Sequence, residues 1–339
     1  MPQIPQLSLR ASRSKRFLFS LSGLLLSTCT QPQSNPSSTS VSKPISLTIP
    51  TDRPAFSADS AYAHIQRQLS FGMRIPGTSS HKTTGDWIVA TLKRYGASVH
   101  EQVGTFKGTP VRNIIGSFGP KEGKRVFLSA HWDSRPFADQ DPEKPREPVP
   151  GANDGASGVA VLLELARLFS QKPLPYAVDI IFWDAEDLGR EGVEDSYCLG
   201  SQYWISSPQP YPRESYVWGI HLDMVGARGA AFLQEGYSRK YAPRLVETLW
   251  QLAQQLGYGQ LFPALPTEPI IDDSYYLSAR GGIPVVNIIQ RDPLGRSFFP
   301  EWHTTRDDMS VIHKPTLQAV GELLVAFLYA TTPEQTPPQ

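Results

Sequence analysis

Val126-Phe127-Leu128-Ser129-Ala130-His131-Trp132-Asp133 is a short apolar run that stops abruptly at an imidazole and a carboxylate. Its apolar part is rich enough for a buried strand. Three further runs repeat the pattern. Ala177–Trp183 leads into Asp184-Ala185-Glu186-Asp187, and Tyr216–Leu222 leads through His221 into Asp223. Pro284–Ile289 heads towards a loop holding Trp302-His303-Thr304. Between these runs, Ser157–Phe169 carries Val159, Leu162, Leu163 and Ala166 at helical spacing, and Leu245–Leu256 has an apolar stripe. Strands that alternate with helices predict an α/β layer with a mostly parallel central sheet.

Working outward, Ala61–Leu69 and Thr84–Tyr95 read as helices and Val111–Phe118 as a strand. Pro315 opens a closing helix with Leu317, Val320, Leu323, Leu324 and Phe327 on its apolar side. No charge run or linker divides residues 56–331, which are read as one domain. Arg10, Arg13, Lys15 and Arg16 followed by the apolar run Phe17–Leu26 and then Cys29 have the three-part shape of an export signal over residues 1–29. Cys29 stands where a lipoprotein would be acylated, so the expected location is the periplasm or a membrane held by lipid. Residues 30–55, rich in Ser, Pro and Thr, read as a flexible tether, and residues 332–339 as a disordered tail.

The 339 residues carry 32 basic and 32 acidic side chains, a formal net charge of zero. That balance gives no electrostatic footprint for nucleic acid or an anionic membrane face. Of the two cysteines, Cys29 falls in the leader. Cys198 then has no internal disulfide partner and reads as a small buried residue.

In parallel sheets, ligands sit beyond the carboxyl ends of the strands. Here His131, Glu186-Asp187, Asp223 and His303 follow strand runs, and Asp154 lies in Gly151-Ala152-Asn153-Asp154-Gly155 just before a helix. Taken singly, each has an ordinary reading as a loop, turn or helix-start residue. Taken together, they bring carboxylates and imidazoles to one sheet edge, where like charges repel unless a cation sits among them. Nitrogen from His and oxygen from Asp or Glu suit zinc at a hydrolytic site. The pair Glu186-Asp187 fits a division between an acid/base and a metal ligand.

Ser129-Ala130-His131-Trp132-Asp133-Ser134, Gly151 to Gly158, Asp184-Ala185-Glu186-Asp187 and Trp302-His303-Thr304 resemble, in order, the motifs of the M28 zinc peptidase family. Within it they resemble the glutaminyl cyclases, particularly bacterial ones. The resemblance spans residues 56–331 and implies a zinc-dependent exopeptidase-like α/β fold with a central mixed sheet flanked by helices. It implies zinc held by Asp154, Asp187 and His303, with Glu186 as acid/base. Asp223 and Asp273 match active-site aspartates, and Trp302 matches a wall of the substrate pocket. The substrate would be the N-terminus of a peptide or protein. In the two-zinc aminopeptidases of the same superfamily, the equivalents of His131, Asp154 and Asp223 hold a second metal, so an aminopeptidase is the alternative. An inactive binding domain on the same scaffold is a third reading. The long passage containing Asp195-Ser196 before Gly200-Ser201, and Ile271-Asp272-Asp273, resemble the cyclases. Ala130 stands where animal cyclases have one of a cysteine pair, and Asp187 where they have a glutamate ligand.

Overall fold

The computed structural model describes residues 47–292 and 297–333. The four apolar runs become four adjacent parallel strands: β3 (Arg125–His131), β4 (Ala177–Trp183), β5 (Tyr216–Asp223) and β7 (Val285–Arg291). Every residue of β3, β4 and β7 is buried, which is why these stretches are mostly apolar instead of alternating apolar with polar. Three antiparallel strands complete the sheet: β1 (Ser98–Phe106) and β2 (Thr109–Phe118) on one side, and the short β6 (Ala231–Phe232) on the other. The order is β1-β2-β4-β3-β5-β7-β6, a mixed sheet with a parallel centre.

Eight helices flank it among the described residues. In chain order they are α1 (Ala58–Leu69), α2 (Ser79–Arg94), α3 (Ala156–Gln171), α4 (Leu199–Ser206), α5 (Gly236–Tyr241), α6 (Pro243–Gln255), α7 (Asp273–Ala279) and α8 (Lys314–Ala330). Side chains alternate across the sheet. Val126, Leu128 and Ala130 of β3 face a core shared with α1, α3, α6 and α8. Phe127 faces a smaller core with Trp183, Trp204 and Leu277, from β4, α4 and α7. At the far end of the strands from His131, Arg125 donates to Asp179 at 2.5 and 2.9 Å, and the Tyr216 hydroxyl donates to the same carboxylate at 2.6 Å. Among the described residues no helix is long and apolar enough to cross a membrane.

The tether is shorter than its composition suggests. Leu47 and Ile49 are partly buried against the main core, and Lys172 donates to the Asp52 backbone at 2.8 Å and side chain at 2.6 Å. Two apolar side chains and one cation are enough to fasten a stretch that reads as Ser/Pro/Thr-rich linker, so residues 47–55 belong to the folded body. Residues 1–46, which include the export-signal stretch and Cys29, and residues 334–339 of the tail lie outside the described residues.

Candidate metal centre and active site

The carboxyl ends of the parallel strands and the start of α3 do converge. His131 closes β3, Asp223 closes β5, and Glu186 and Asp187 follow β4. Asp154 precedes α3, and His303 lies on the loop after β7. Ligand atoms of Asp154, Asp187 and His303 all lie within 4.8 Å of one another, and so do those of His131, Asp154 and Asp223. Asp154 is common to both triads.

Close approach is what the glycines permit. A Cβ on Gly155 would lie 2.3 Å from His131 Nε2, so any side chain there would displace the imidazole. Around the site the backbone is also bent into the left-handed region at four non-glycine residues: Ala185 (φ 53°), Cys198 (φ 56°), Met224 (φ 52°) and His303 (φ 54°). Such conformations persist where surrounding contacts over-determine them. Those contacts are present. The Asp133 carboxylate accepts from the backbone N–H groups of Glu186 and Asp187, both at 3.1 Å. Asp307 accepts from Asn153 N at 2.8 Å and Asp154 N at 3.1 Å. Asn153 Oδ1 accepts from Gly226 N at 2.7 Å. The buried Arg74 donates to the carbonyls of Trp132, Pro150 and Gly151.

Within the cluster, His131 Nε2 lies 2.9 Å from Asp154 Oδ1 and 3.3 Å from Asp223 Oδ1. His303 Nε2 lies 3.2 Å from Asp187 Oδ1, and its Nδ1 lies 3.2 Å from Asp139 Oδ1. Arg135 joins the two sides, donating to Asp139 Oδ2 at 2.6 Å and to the Asp187 carbonyl at 2.9 Å. A carboxylate on the far nitrogen of a ligating histidine fixes its tautomer and ring orientation. Asp139 and Arg135 were missed as individual residues. The sequence signal that could have found them is the Asp- and Pro-rich stretch 135–150, of which Asp139 and Gln140 line the cavity.

Burial, and then the charge of Asp187, push the Glu186 carboxyl well above the usual range. Asp187 is instead drawn down to about 2: burial opposes ionisation, but His303 and Arg135 outweigh it. His303 rises to about 9, against the effect of burial, because Asp187 and Asp139 favour its charged form. His131 rises well above its ordinary value against the same effect, through Asp133, Asp154 and Asp223. Asp223 is pushed up to about 7 by burial and the neighbouring Asp154. Buried imidazoles and carboxylates whose ligand atoms crowd within 4.8 Å of one another are a donor set that a divalent cation suits. The residues present therefore fit zinc.

A cavity of about 300 Å³ opens onto this cluster. Glu186, Asp223 and Asp272 face it from the polar side, and Ile270, Phe298 and Trp302 from the apolar side. Trp302 stacks on His303 with ring centres 3.7 Å apart and meets Phe298 at 4.6 Å. Trp302 is among the residues that line the cavity. Asp273, expected to match an active-site aspartate, does not line the cavity. It is fully buried one residue into α7, where it accepts from Ser201 Oγ at 2.5 Å. Asp272, which caps α7, is the residue that reaches the cavity. It also accepts from Asn287 Nδ2 at 2.5 Å and lies 3.3 Å from His221 Nε2. Cys198 is buried as expected, but its Sγ also lies 3.4 Å from Glu186 Oε1. His81 pairs with Asp184 at 2.8 Å and stacks on Trp132.

Known proteins are similar to this chain over most of its length. A solved glutaminyl cyclase from Porphyromonas gingivalis is 46% identical, covers 80% of this chain and 98% of its own, and superposes with a TM-score of 0.77. A Zn-dependent exopeptidase from Parabacteroides distasonis is 44% identical over 82% of this chain and 99% of its own, with a TM-score of 0.79. Aminopeptidase YwaD of Bacillus subtilis is 28% identical over 275 residues, 78% of this chain, and the match spans 55% of that protein's length. The profile of peptidase family M28 matches residues 113–328. With its strand ends, glycine turns and buried carboxylates all in the matched region, the chain belongs to peptidase family M28.

Proposed function

We propose that this chain is a zinc-dependent glutaminyl-peptide cyclotransferase, which turns the N-terminal glutamine of a peptide or protein into pyroglutamate and releases ammonia. The observation that carries this reading is the small cavity. It pairs an apolar wall of Ile270, Phe298 and Trp302 with three facing carboxylates, Glu186, Asp223 and Asp272. Such a space suits a short side chain with methylenes on one side and an amine and an amide on the other. The solved cyclase at nearly half identity supports the same choice.

Asp154, Asp187 and His303 would hold the zinc, which supplies Lewis-acid polarisation of an amide carbonyl. Glu186 takes a proton from the substrate's α-amine as the nitrogen attacks its own side-chain carbonyl carbon. The new bond joins the α-nitrogen to that carbon, and the bond to the amide nitrogen breaks. Glu186 returns the proton to the departing ammonia, so no water is consumed. Its high proton affinity suits a group that must both accept and give back a proton. Asp223 and Asp272 orient the amine and the amide, and Trp302 packs on the methylenes and excludes water. The reaction is intramolecular, so holding the chain in its folded-back conformer supplies much of the rate.

One observation favours a second reading. His131, Asp154 and Asp223 form a further triad, the donor set a second metal would need for aminopeptidase hydrolysis. The N-terminal stretch extends the proposal to location: residues 1–29 would direct export, with Cys29 available for a lipid anchor in the membrane. The deciding experiment supplies the zinc-loaded protein with Gln-Phe-amide and with a leucine anilide, and counts metal per chain. Ammonia and pyroglutamyl product with one zinc and an untouched anilide are expected. Anilide cleavage with two zincs would replace the cyclase reading with the aminopeptidase one. The Glu186→Gln variant should lose turnover by about 10²–10⁴-fold while keeping its zinc; loss of zinc would make Glu186 a ligand instead.

A further inference from the structure

A separate cavity, of about 470 Å³, lies at the opposite end of the sheet from the candidate metal centre, where β2 ends, β4 begins and α3 runs out. Its apolar walls include the rings of Phe118, Phe169, Tyr176 and Tyr211. Each ring is held by a contact of its own. Phe118 meets Phe169 edge-on, with ring centres 5.5 Å apart. The buried Tyr176 donates its hydroxyl to the Leu328 carbonyl at 2.7 Å. The Arg125 guanidinium lies over Tyr211, 3.8 Å from the ring centre, and is itself held by Asp179. Gly119 turns the chain over Tyr176 at φ 77°, and a Cβ there would come within 2.4 Å of the Tyr176 carbonyl. The walls are therefore preformed, and the volume is that of a small-molecule site. Charge at the mouth has one sign. Arg94 and Lys121 line it, both exposed. Arg94 reaches the Thr91 hydroxyl at 3.5 Å and the Tyr95 ring at 5.3 Å, and among the described residues no carboxylate lies within 4.0 Å of either cation. No wall residue is acidic. Asp179, next to the wall residue Val178, is already engaged by Arg125 and by the Tyr216 hydroxyl.

We propose that this cavity is a binding site for a small aromatic carboxylate, with its ring among the aromatic walls and its carboxylate at the mouth beside Arg94 and Lys121. A planar ring gains offset and edge contacts with such walls beyond the area it buries. The carboxylate meets two cations that no protein acid neutralises, and a guanidinium fork can take both its oxygens. Both halves of the ligand are needed, because an exposed ion pair alone is weak and a neutral ring leaves the cations unanswered. The site is independent of the reaction. Phe169 lies near the last turn of α3, whereas Asp154 precedes its first. A ligand here stays clear of the reacting groups, and the inference stands whichever reaction the metal centre performs.

The test titrates the zinc-loaded full chain with cinnamate, cinnamamide and acetate by calorimetry, beside a variant carrying both Arg94→Gln and Lys121→Gln. Cinnamate should bind the parent saturably with a Kd of about 0.1 mM, ordinary for a ligand of its size. The double variant should bind cinnamate about tenfold more weakly, as two lost exposed ion pairs would give. The parent should bind cinnamamide, which keeps the ring and loses the charge, about tenfold more weakly for the same reason. Acetate, which keeps the charge and loses the ring, should show no saturation at about 5 mM. Both substituted side chains are exposed, so the variant should fold and turn over Gln-Phe-amide as the parent does. Absence of saturable cinnamate binding would overturn the proposal. Equal affinity of the parent and the double variant would overturn it too, since cinnamate would then sit elsewhere, the zinc included. Equal affinity for the acid and the amide would remove the role of the two cations and the proposal with it.

Discussion

Asp272 and Asp273 are adjacent and chemically identical, yet the start of α7 sends them to different places. Asp272 is the N-cap, with extended backbone and a side chain that accepts from Asp273 N while lining the cavity. Asp273 has entered the helix and turned inward to Ser201. Burial, and then the charge of Asp272 against the opposing pull of His221, push Asp273 up to about 7. An asparagine at 273 would resemble its protonated form and could still accept from Ser201. Asp272→Asn is therefore expected to lower kcat/KM on Gln-Phe-amide by about 10²-fold, as expected for a misplaced substrate contact. Asp273→Asn should lower it by less than about tenfold and show its effect in the unfolding midpoint, where altering a buried hydrogen bond costs about 1–3 kcal/mol. The reverse ranking of the two variants would return the substrate-facing role to Asp273. A sequence offers no way to choose between them, because the choice depends on which side of one helical turn each side chain leaves.

Helix α3 carries the site's geometry into the core. Gly158, in its first turn, lets the helix lie against the sheet: a Cβ there would come within 2.6 Å of the Leu222 carbonyl and 2.8 Å of Ala130 Cβ. On an exposed helix, replacing glycine by alanine gains about 1 kcal/mol. At 158 the sign should reverse. Gly158→Ala should destabilise by about 1–3 kcal/mol, the usual cost of overpacking, read by denaturant unfolding. Unchanged or raised stability would mean that α3 can slide off the sheet without cost. The elements visible in the sequence were those with a simple burial pattern. β4 coincides with its apolar run at Ala177–Trp183, because both faces are covered. β1 was missed, because an edge strand with one buried residue in nine has no apolar period to read. The short helices α4 and α7 were missed too; at eight and seven residues they are too brief to display a stripe. The candidate ligands were legible because strand ends are legible. Asp139 and Arg135 were not, because loop geometry alone brings Asp139 to His303 and Arg135 to Asp139 and Asp187.

The folded body begins before the stretch that looks ordered in composition, and the place where it begins separates stability from activity. Leu47 and Ile49 pack on the main core, and Asp52 takes the ammonium of Lys172, just beyond the last residue of α3. The candidate site lies at the other end of that helix, where Asp154 precedes its first turn. Sixteen residues of α-helix span about 24 Å at 1.5 Å each. Contacts at one end should therefore be dispensable to chemistry at the other, provided the core stays folded. A chain starting at residue 56 loses two partly buried aliphatic side chains. Full burial of each is worth about 1.5–3 kcal/mol, so partial burial of both should total about 2 kcal/mol. The chain starting at 47 should thus melt several degrees above the chain starting at 56, on a scale of about 2–4 °C per kcal/mol for a domain somewhat smaller than this one. Both should turn over Gln-Phe-amide within about twofold of each other at 25 °C, since none of the described residues before 56 lines the cavity. Equal melting temperatures would mean that residues 47–55 rest on the surface without stabilising it, as a tether would. A loss of turnover in the shorter chain, at a temperature where it is still folded, would mean that the N-terminal segment acts on the site through α3.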